Sequence, residues 1–333
     1  MKLSIILPVY NVEKFIPDCL DSLETQDLPK EEYEIICVDD GSPDNAVQVI
    51  EEYQKKYSNI RLIRQENSGV CAARNNGFKE ATGEYVWFID PDDYIQVNCL
   101  GCMLDALYAQ KADLIVFEYA EVQETAVFNR EVHSDIAIEP QKNYAAKGSA
   151  CQYICRRTYL VEHNIDFNGE LAYGEDYLWA FQVNYRKHMG LVTDAVIYFY
   201  RQRESSAMHS KTREKQFRHM NDMQKLAQIY EGEYLRCEKE GLPKDALKAI
   251  KRRKDIAVQS VIVDLIMLAD NKSEVLSKLN EIKNQGLYPY SWTWWNLFTA
   301  RIQGKWVLKL AMLPAPIRGY VIFLNWLYRT VKK

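Results

Sequence analysis

Val86-Trp87-Phe88-Ile89-Asp90-Pro91-Asp92-Asp93-Tyr94 is the stretch that most limits how this chain can fold. Four apolar residues in a row read as a buried strand. Three carboxylates and a proline follow at once. Proline lacks an N–H and fixes φ, so the strand stops there. The acids therefore stand at the end of a rigid element, at the edge of a core. That close, they repel one another unless something positive lies among them. Hard oxygen donors of this kind suit Mg2+ or Mn2+, with substrate phosphates completing the shell. The plainer reading is a solvated turn, with Asp92 and Asp93 capping a helix that starts near Ile95. A lone D-x-D matches by chance, so the rest of the chain has to decide.

The first 90 residues alternate strand and helix patterns. Leu3–Asn11 is an apolar run closed by Pro8 and Asn11, which reads as a buried parallel strand entering a loop. Glu13 to Glu24 has helical spacing. Glu34 to Val38 is a second strand, and Asp39-Asp40-Gly41-Ser42 opens the helix Asn45 to Tyr57. Ile60 to Ile63 is a third strand, and Ser68-Gly69 leads into a helix that stops at Thr82-Gly83. The pattern predicts a parallel sheet with helices on both faces. Ligands of such sheets bind outside the carboxyl ends of the strands. Tyr10-Asn11, Asp39 to Ser42 and Asp90 to Asp93 should then line one crevice. No G-x-G-x-x-G follows the first strand and no G-x-x-x-x-G-K-[ST] occurs, which disfavours a dinucleotide dehydrogenase or a P-loop enzyme.

Further on, Ile95 to Gln110 reads as a helix, Asp113 to Tyr119 as a strand and Gln123 to Asn143 as a loop or edge hairpin. Ala150 to His163 reads as helical in part. After a turn at Gly174, Glu175 and Asp176 open a helix, where acids suit the dipole. Ala195 to Tyr200 is a strand with a polar exit. From Lys211 the chain turns helical, over Arg213 to Glu240, Pro243 to Asp270 and Ser273 to Asn284. The expected domains are 1–210, a helical region 211–285 and a tail 286–333.

The net charge of −4 is unevenly spread: from Ile282 onward there are eight Lys or Arg and no Asp or Glu. Five of the seven Trp lie in that tail, at 292, 294, 295, 306 and 326. Aromatics with cations favour an anionic membrane surface; the alternatives are packing on the catalytic domain and a dimer contact. No run of 18 apolar residues occurs, which speaks against a spanning helix. Eight scattered Cys and no signal-peptide layout after Met1 predict free thiols in a reducing compartment. Cys99-x-x-Cys102 has no second pair at zinc spacing and is taken as buried packing.

The polar segments acquire meaning as a set. Pro8-Val9-Tyr10-Asn11, Val38 to Ser42, Asn67 to Gly77, Phe88 to Asp93, Glu175-Asp176 and Tyr200 to Ser206 follow one another at these intervals. The series resembles the family 2 glycosyltransferases, the inverting GT-A type of bacterial surface-polysaccharide assembly, over about residues 2–206. The resemblance implies an α/β fold: a Rossmann-like, mostly parallel sheet flanked by helices, followed here by a C-terminal α-helical region. It implies a nucleotide-diphosphate-sugar donor, typically UDP-linked, divalent Mn2+ or Mg2+, and transfer to a glycan or lipid-linked acceptor. Residue by residue, Pro8 and Tyr10 would border the base, Asp39 would hydrogen-bond it, and Arg74 would lie near base or diphosphate. Asp90 would hold the ribose or reach the metal through water, and Asp92 would bind the metal. Asp93 is structural or a donor-sugar contact. Asp176 would be the general base, with Glu175 and Trp179 shaping the acceptor pocket. Arg201 and Arg203 would belong to a loop closing over the diphosphate. His209 is an additional metal ligand or a surface residue.

Each member alone has a plainer reading: a helix start for Glu175 and Asp176, a solvated helix face for Arg74. The competing functions are a catalytically inactive sugar-nucleotide binder and a haloacid-dehalogenase-like phosphatase. In the latter a Thr or Val normally stands two positions after the second Asp, where this chain has Tyr94. The expected location is cytoplasmic or at the inner face of the cell membrane. No nucleic-acid partner is expected.

Overall fold

In the computed structural model, the described residues are 1–129, 136–141, 148–203 and 212–287, with Trp326. His209 and nearly all of the aromatic, basic tail lie outside them. The described residues form two compact units.

The first unit runs to Glu170 and resumes at Glu175. Its elements are β1 (Leu3–Val9), α1 (Ile16–Glu24), β2 (Tyr33–Asp39), α2 (Ala46–Gln54), β3 (Ile60–Arg64), α3 (Val70–Glu80), β4 (Tyr85–Phe88), β5 (Tyr94–Ile95), α4 (Leu100–Gln110), β6 (Leu114–Gln123), β7 (Glu139–Pro140), β8 (Tyr153–Arg156), α5 (Arg157–Glu162), α6 (Glu175–Asn184) and β9 (Gly190–Gln202). The strands join in the order β3-β2-β1-β4-β8-β6-β9-β5, with β7 also on β9. The sheet is parallel through β3-β2-β1-β4. Beyond β4 it is mixed: β8 is antiparallel to both β4 and β6, and β9 runs parallel to β6.

The strand order turns at β1 and β4, so a crevice forms where both leave the sheet. β1, β2 and β4 are buried on both faces, as a parallel sheet covered twice requires. Because side chains alternate, Leu3, Ile5, Leu7, Val9 and Trp87 meet Ile16, Leu20 and Leu23 of α1 and Leu100, Met103 and Leu107 of α4. Ile6, Ile36, Val38 and Phe88 meet Ala73 of α3 and Trp179, Ala180 and Val183 of α6.

Two local expectations are corrected and one is refined. Tyr94 and Ile95 are not the start of a helix; they pair with Phe199 and Tyr198 of β9, and α4 starts at Leu100. Ala150 to His163 is helical in part, as expected, in α5; ahead of that helix it also holds a strand, β8, which closes the gap between β4 and β6. Cys102 is exposed, although Cys99 is buried; all eight cysteines are free.

The second unit comprises Leu171–Gly174 and, among the described residues, 212–287. It contains α7 (Arg213–Lys239), α8 (Lys244–Leu268) and α9 (Lys272–Asn284), close to the spans expected from periodicity. Thr212 caps α7 by accepting from the Lys215 N–H, and Asn271 caps α9 by accepting from the Glu274 N–H. Asp222 of α7 accepts the N–H groups of Ala172 and Tyr173. No helix among the described residues is long and apolar enough to cross a membrane.

Gly77 shows how closely α3 lies on the sheet. A Cβ there would fall 2.4 Å from Ile6 Cγ2 and 3.1 Å from Val38 Cγ2. Alanine is the better helix former by about 1 kcal/mol, but overpacking a core costs about 1–3 kcal/mol. Gly77→Ala should therefore lower stability, read as a lower urea midpoint; an unchanged or higher midpoint would refute the close approach.

Candidate active site

The site is built from strand exits and two helix starts. At the end of β1, Pro8 is buried beside Val38 of β2, while Tyr10 is exposed and Asn11 turns the chain at φ +54°. At the end of β2, Asp39 and Asp40 are both buried. Asp39 Oδ1 accepts the Ser42 N–H at 2.9 Å, a local turn. Asp40 accepts the N–H groups of Ser68 and Gly69 and the Gln65 amide, at 2.7–2.8 Å. Its carboxylate thus anchors the loop that starts α3.

That loop sets the position of Arg74, which is only 4% exposed. One guanidinium nitrogen donates to Asp90 Oδ1 at 2.7 Å, and the other donates to Asp176 Oδ1 at 2.8 Å. Glu175 Oε1 lies 3.6 Å from the second nitrogen. The guanidinium stacks over Phe167, 4.8 Å from the ring centre. Arg74 is therefore not on a solvated helix face. It joins the acid after β4 to the acids that open α6, and these carboxylates hold it firmly charged against its burial.

The other two acids after β4 are held from β9. Asp93 is fully buried. It accepts the Tyr198 hydroxyl at 2.5 Å and the Arg201 N–H at 2.7 Å, so it organises the site from within and caps no helix. Burial, then the charges of Asp92 and Asp90, push its carboxyl well above the usual range. Asp92 pairs with Arg203 Nε at 2.9 Å. Arg201 donates to Asp18 at 2.9 Å, and Arg201 and Arg203 both cover the Phe15 ring. Six carboxylates (Asp18, Asp90, Asp92, Asp93, Glu175 and Asp176) thus face three arginines.

Burial, with the surplus negative charge after it, raises the acids. Burial first, then Asp90, raises the Asp92 carboxyl, and Arg203 only partly offsets this. Burial, then Asp176, pushes Glu175 up to about 7. Burial also raises Asp176, with Arg74 opposing it. A divalent cation fits this deficit: Asp90 and Asp92 offer hard oxygen donors in a place short of positive charge. Among the described residues, no three His, Cys, Asp or Glu side chains converge as a metal cage. A metal held here would take its remaining ligands from substrate or water.

Trp179 takes a different place from the acceptor pocket expected of it. It is 1% exposed and stacks on Phe167 and against Phe88, beneath the acids. Tyr198, Phe167 and Ser149, whose Oγ lies 3.5 Å from Asp176 Oδ2, belong to the site without having been foreseen. Nothing in their spacing marks them.

Residues 4–162 match the model described as "Glycosyl transferase family 2". This segment is a family 2 glycosyltransferase domain. The match ends before Glu175 and Asp176. Similar proteins include the poly(ribitol-phosphate) beta-glucosyltransferase of Bacillus spizizenii, 32% identical over 62% of this chain and 33% of that protein. The putative glycosyltransferase EpsH of Bacillus subtilis is 33% identical over 60% of each. The chain thus spans between a third and three fifths of the length of these relatives. The crystal structure of Staphylococcus aureus TarS residues 1–349 with UDP-GlcNAc is 25% identical, with a TM-score of 0.57 over 86% of this chain and 89% of that one. The fold is the GT-A type.

The raised Glu175 carboxyl has a consequence for stability. The folded chain holds this proton more tightly than the unfolded chain, whose carboxyl titrates near its ordinary 4.5. Its contribution is full below that value and is lost as pH rises through about 7. Urea denaturation across this window should show stability falling with pH, and Glu175→Gln should flatten the slope. An unaltered slope in that variant would show that Glu175 is not desolvated.

Proposed function

We propose that the chain is an inverting glycosyltransferase that moves a sugar from a UDP-linked donor to a hydroxyl of a glycan or lipid-linked acceptor. The observation that carries this is the Arg74 bridge, which sets Asp176 beside the acids after β4 with one guanidinium between them. The UDP-GlcNAc complex of the similar S. aureus structure supports the donor class. The relatives that act on poly(ribitol phosphate) support a role in surface-polysaccharide synthesis.

In this reading Pro8, Tyr10 and Asp39 border the nucleotide base, at the exits of β1 and β2. Arg74 and Asp90 lie between base, ribose and diphosphate. Asp92, with Asp90, would hold Mn2+ or Mg2+, which when bound neutralises charge on the departing diphosphate. Arg203 and Arg201 supply fixed positive charge at the same place. Asp176 accepts the proton of the attacking hydroxyl, since a sugar hydroxyl is a poor nucleophile at neutral pH. Its raised basicity, from burial, suits that task. Attack from the face opposite the leaving diphosphate inverts the anomeric carbon. Glu175, near neutrality in its titration, is placed to hydrogen-bond the acceptor in either protonation state. The basic, tryptophan-rich composition of 286–333 supports contact with an anionic membrane surface, where a lipid-carried acceptor would be found.

Asp176→Asn should retain UDP binding by calorimetry while transfer falls about 100-fold to 10,000-fold, the usual weight of a general base. Transfer at the parent rate would remove Asp176 from the mechanism. Asp92→Asn should abolish the tightening of UDP binding by Mn2+; undiminished tightening would place the metal elsewhere.

A further inference from the structure

The acids occupy only part of the surface at this end of the sheet. In β6 burial alternates beyond Phe117, leaving Tyr119, Glu121 and Gln123 exposed on one side. Tyr119 is 42% exposed and meets Tyr200 edge-on, with ring centres 6.2 Å apart. Tyr177 directly follows Asp176 in α6 and is 51% exposed. The turn before β8 lies between the two. At Gly148 a Cβ would fall 2.7 Å from Tyr177 Cε1. The next residue, Ser149, reaches Asp176, and Gln152 donates to the Phe117 carbonyl of β6. Burial, then Glu121 and Tyr177, raises the Tyr119 phenol.

Large flat side chains with polar tips are usually covered. Here two stand half-open beside the carboxylate that would take a proton from a hydroxyl. A pyranose has the matching form: a C–H face that lies on an aromatic ring, and hydroxyls around its edge. The described charges at this edge are the carboxylates Glu118, Glu121, Glu175 and Asp176 and the Arg74 guanidinium, which faces the last two. The carboxylates accept from sugar hydroxyls and, outnumbering the one cation, disfavour phosphate.

We infer that Tyr119 and Tyr177 form the acceptor platform, and that it receives an uncharged sugar ring whose hydroxyl is presented to Asp176. The inference rests on the transferase reading above and adds the acceptor class. It also moves acceptor contact from Trp179, which is buried, to two tyrosines.

Saturation-transfer NMR on the full chain with UDP, against a panel of neutral disaccharides and separately against poly(ribitol phosphate), tests this. At least one disaccharide should receive saturation at its ring C–H protons. Tyr119→Ala and Tyr177→Ala should each weaken that binding about tenfold, the worth of one aromatic contact of ~1.4 kcal/mol. Tyr119→Phe and Tyr177→Phe keep the ring and should stay within about twofold of the parent. Calorimetry with UDP separates the two levels. A parent protein that binds no UDP overturns the transferase reading itself. A parent that binds UDP and a disaccharide, with equal disaccharide affinity in both alanine variants, overturns the platform alone. Binding of poly(ribitol phosphate) more tightly than any disaccharide, or binding of no disaccharide, overturns the uncharged-ring assignment.

Discussion

One buried guanidinium holds this site together. Arg74 is paired with Asp90 and Asp176, residues 16 and 102 positions away in the chain. Without it, the half-buried carboxylates of Asp90, Glu175 and Asp176 would share one space with no cation between them, and they would repel one another. With it, α3, the exit of β4 and the start of α6 are fixed to one planar group. A guanidinium suits this better than an ammonium would, because its fork meets two partners in set directions. Phe167 beneath the plane limits its tilt.

The remaining charges are arranged in layers around that group. Asp93 lies deepest and is satisfied by the Tyr198 hydroxyl and a backbone N–H. Asp92 lies further out and meets Arg203. Burying these acids together costs folding energy: burial first, and then their like charges, raise the carboxyls of Asp92, Asp93, Glu175 and Asp176. A cation or a cationic transition state would relieve it. Stored strain of this electrostatic kind is what a site for charge redistribution needs. The sheet bears the cost through a core packed on both faces.

Much of this was legible in the chain because strands end where their chemistry starts. Apolar runs that stop at Asn11, Asp39 and Asp90 announce both the sheet and its ligand edge. Helices of the second unit were legible from their period. Other features were hidden by tertiary context. Tyr153-Ile154-Cys155-Arg156 is too short to show a period, yet it bridges the parallel and mixed parts of the sheet. Asp92 and Asp93 looked like caps for a helix at Ile95, but Arg203, Tyr198 and Arg201 had prior claim on their oxygens. Arg74-Asn75-Asn76 reads as a polar helix face, and no local signal says that its partners lie beyond β4 and at α6. Trp179 carries no mark that separates a core indole from a pocket wall.

Strand β9 gives three of these groups through its spacing alone. Tyr198 serves Asp93 and the Asp90 N–H, the Arg201 backbone serves Asp93 again, and Arg203 serves Asp92. A strand turns over every residue. The entry at Met189, tied to Asp113 by backbone and carboxylate, sets the count. Adding one residue there would leave the apolar content unchanged and put Ile197 where the phenol stands. The chemistry at one end of β9 is therefore metered by the length of chain at its other end.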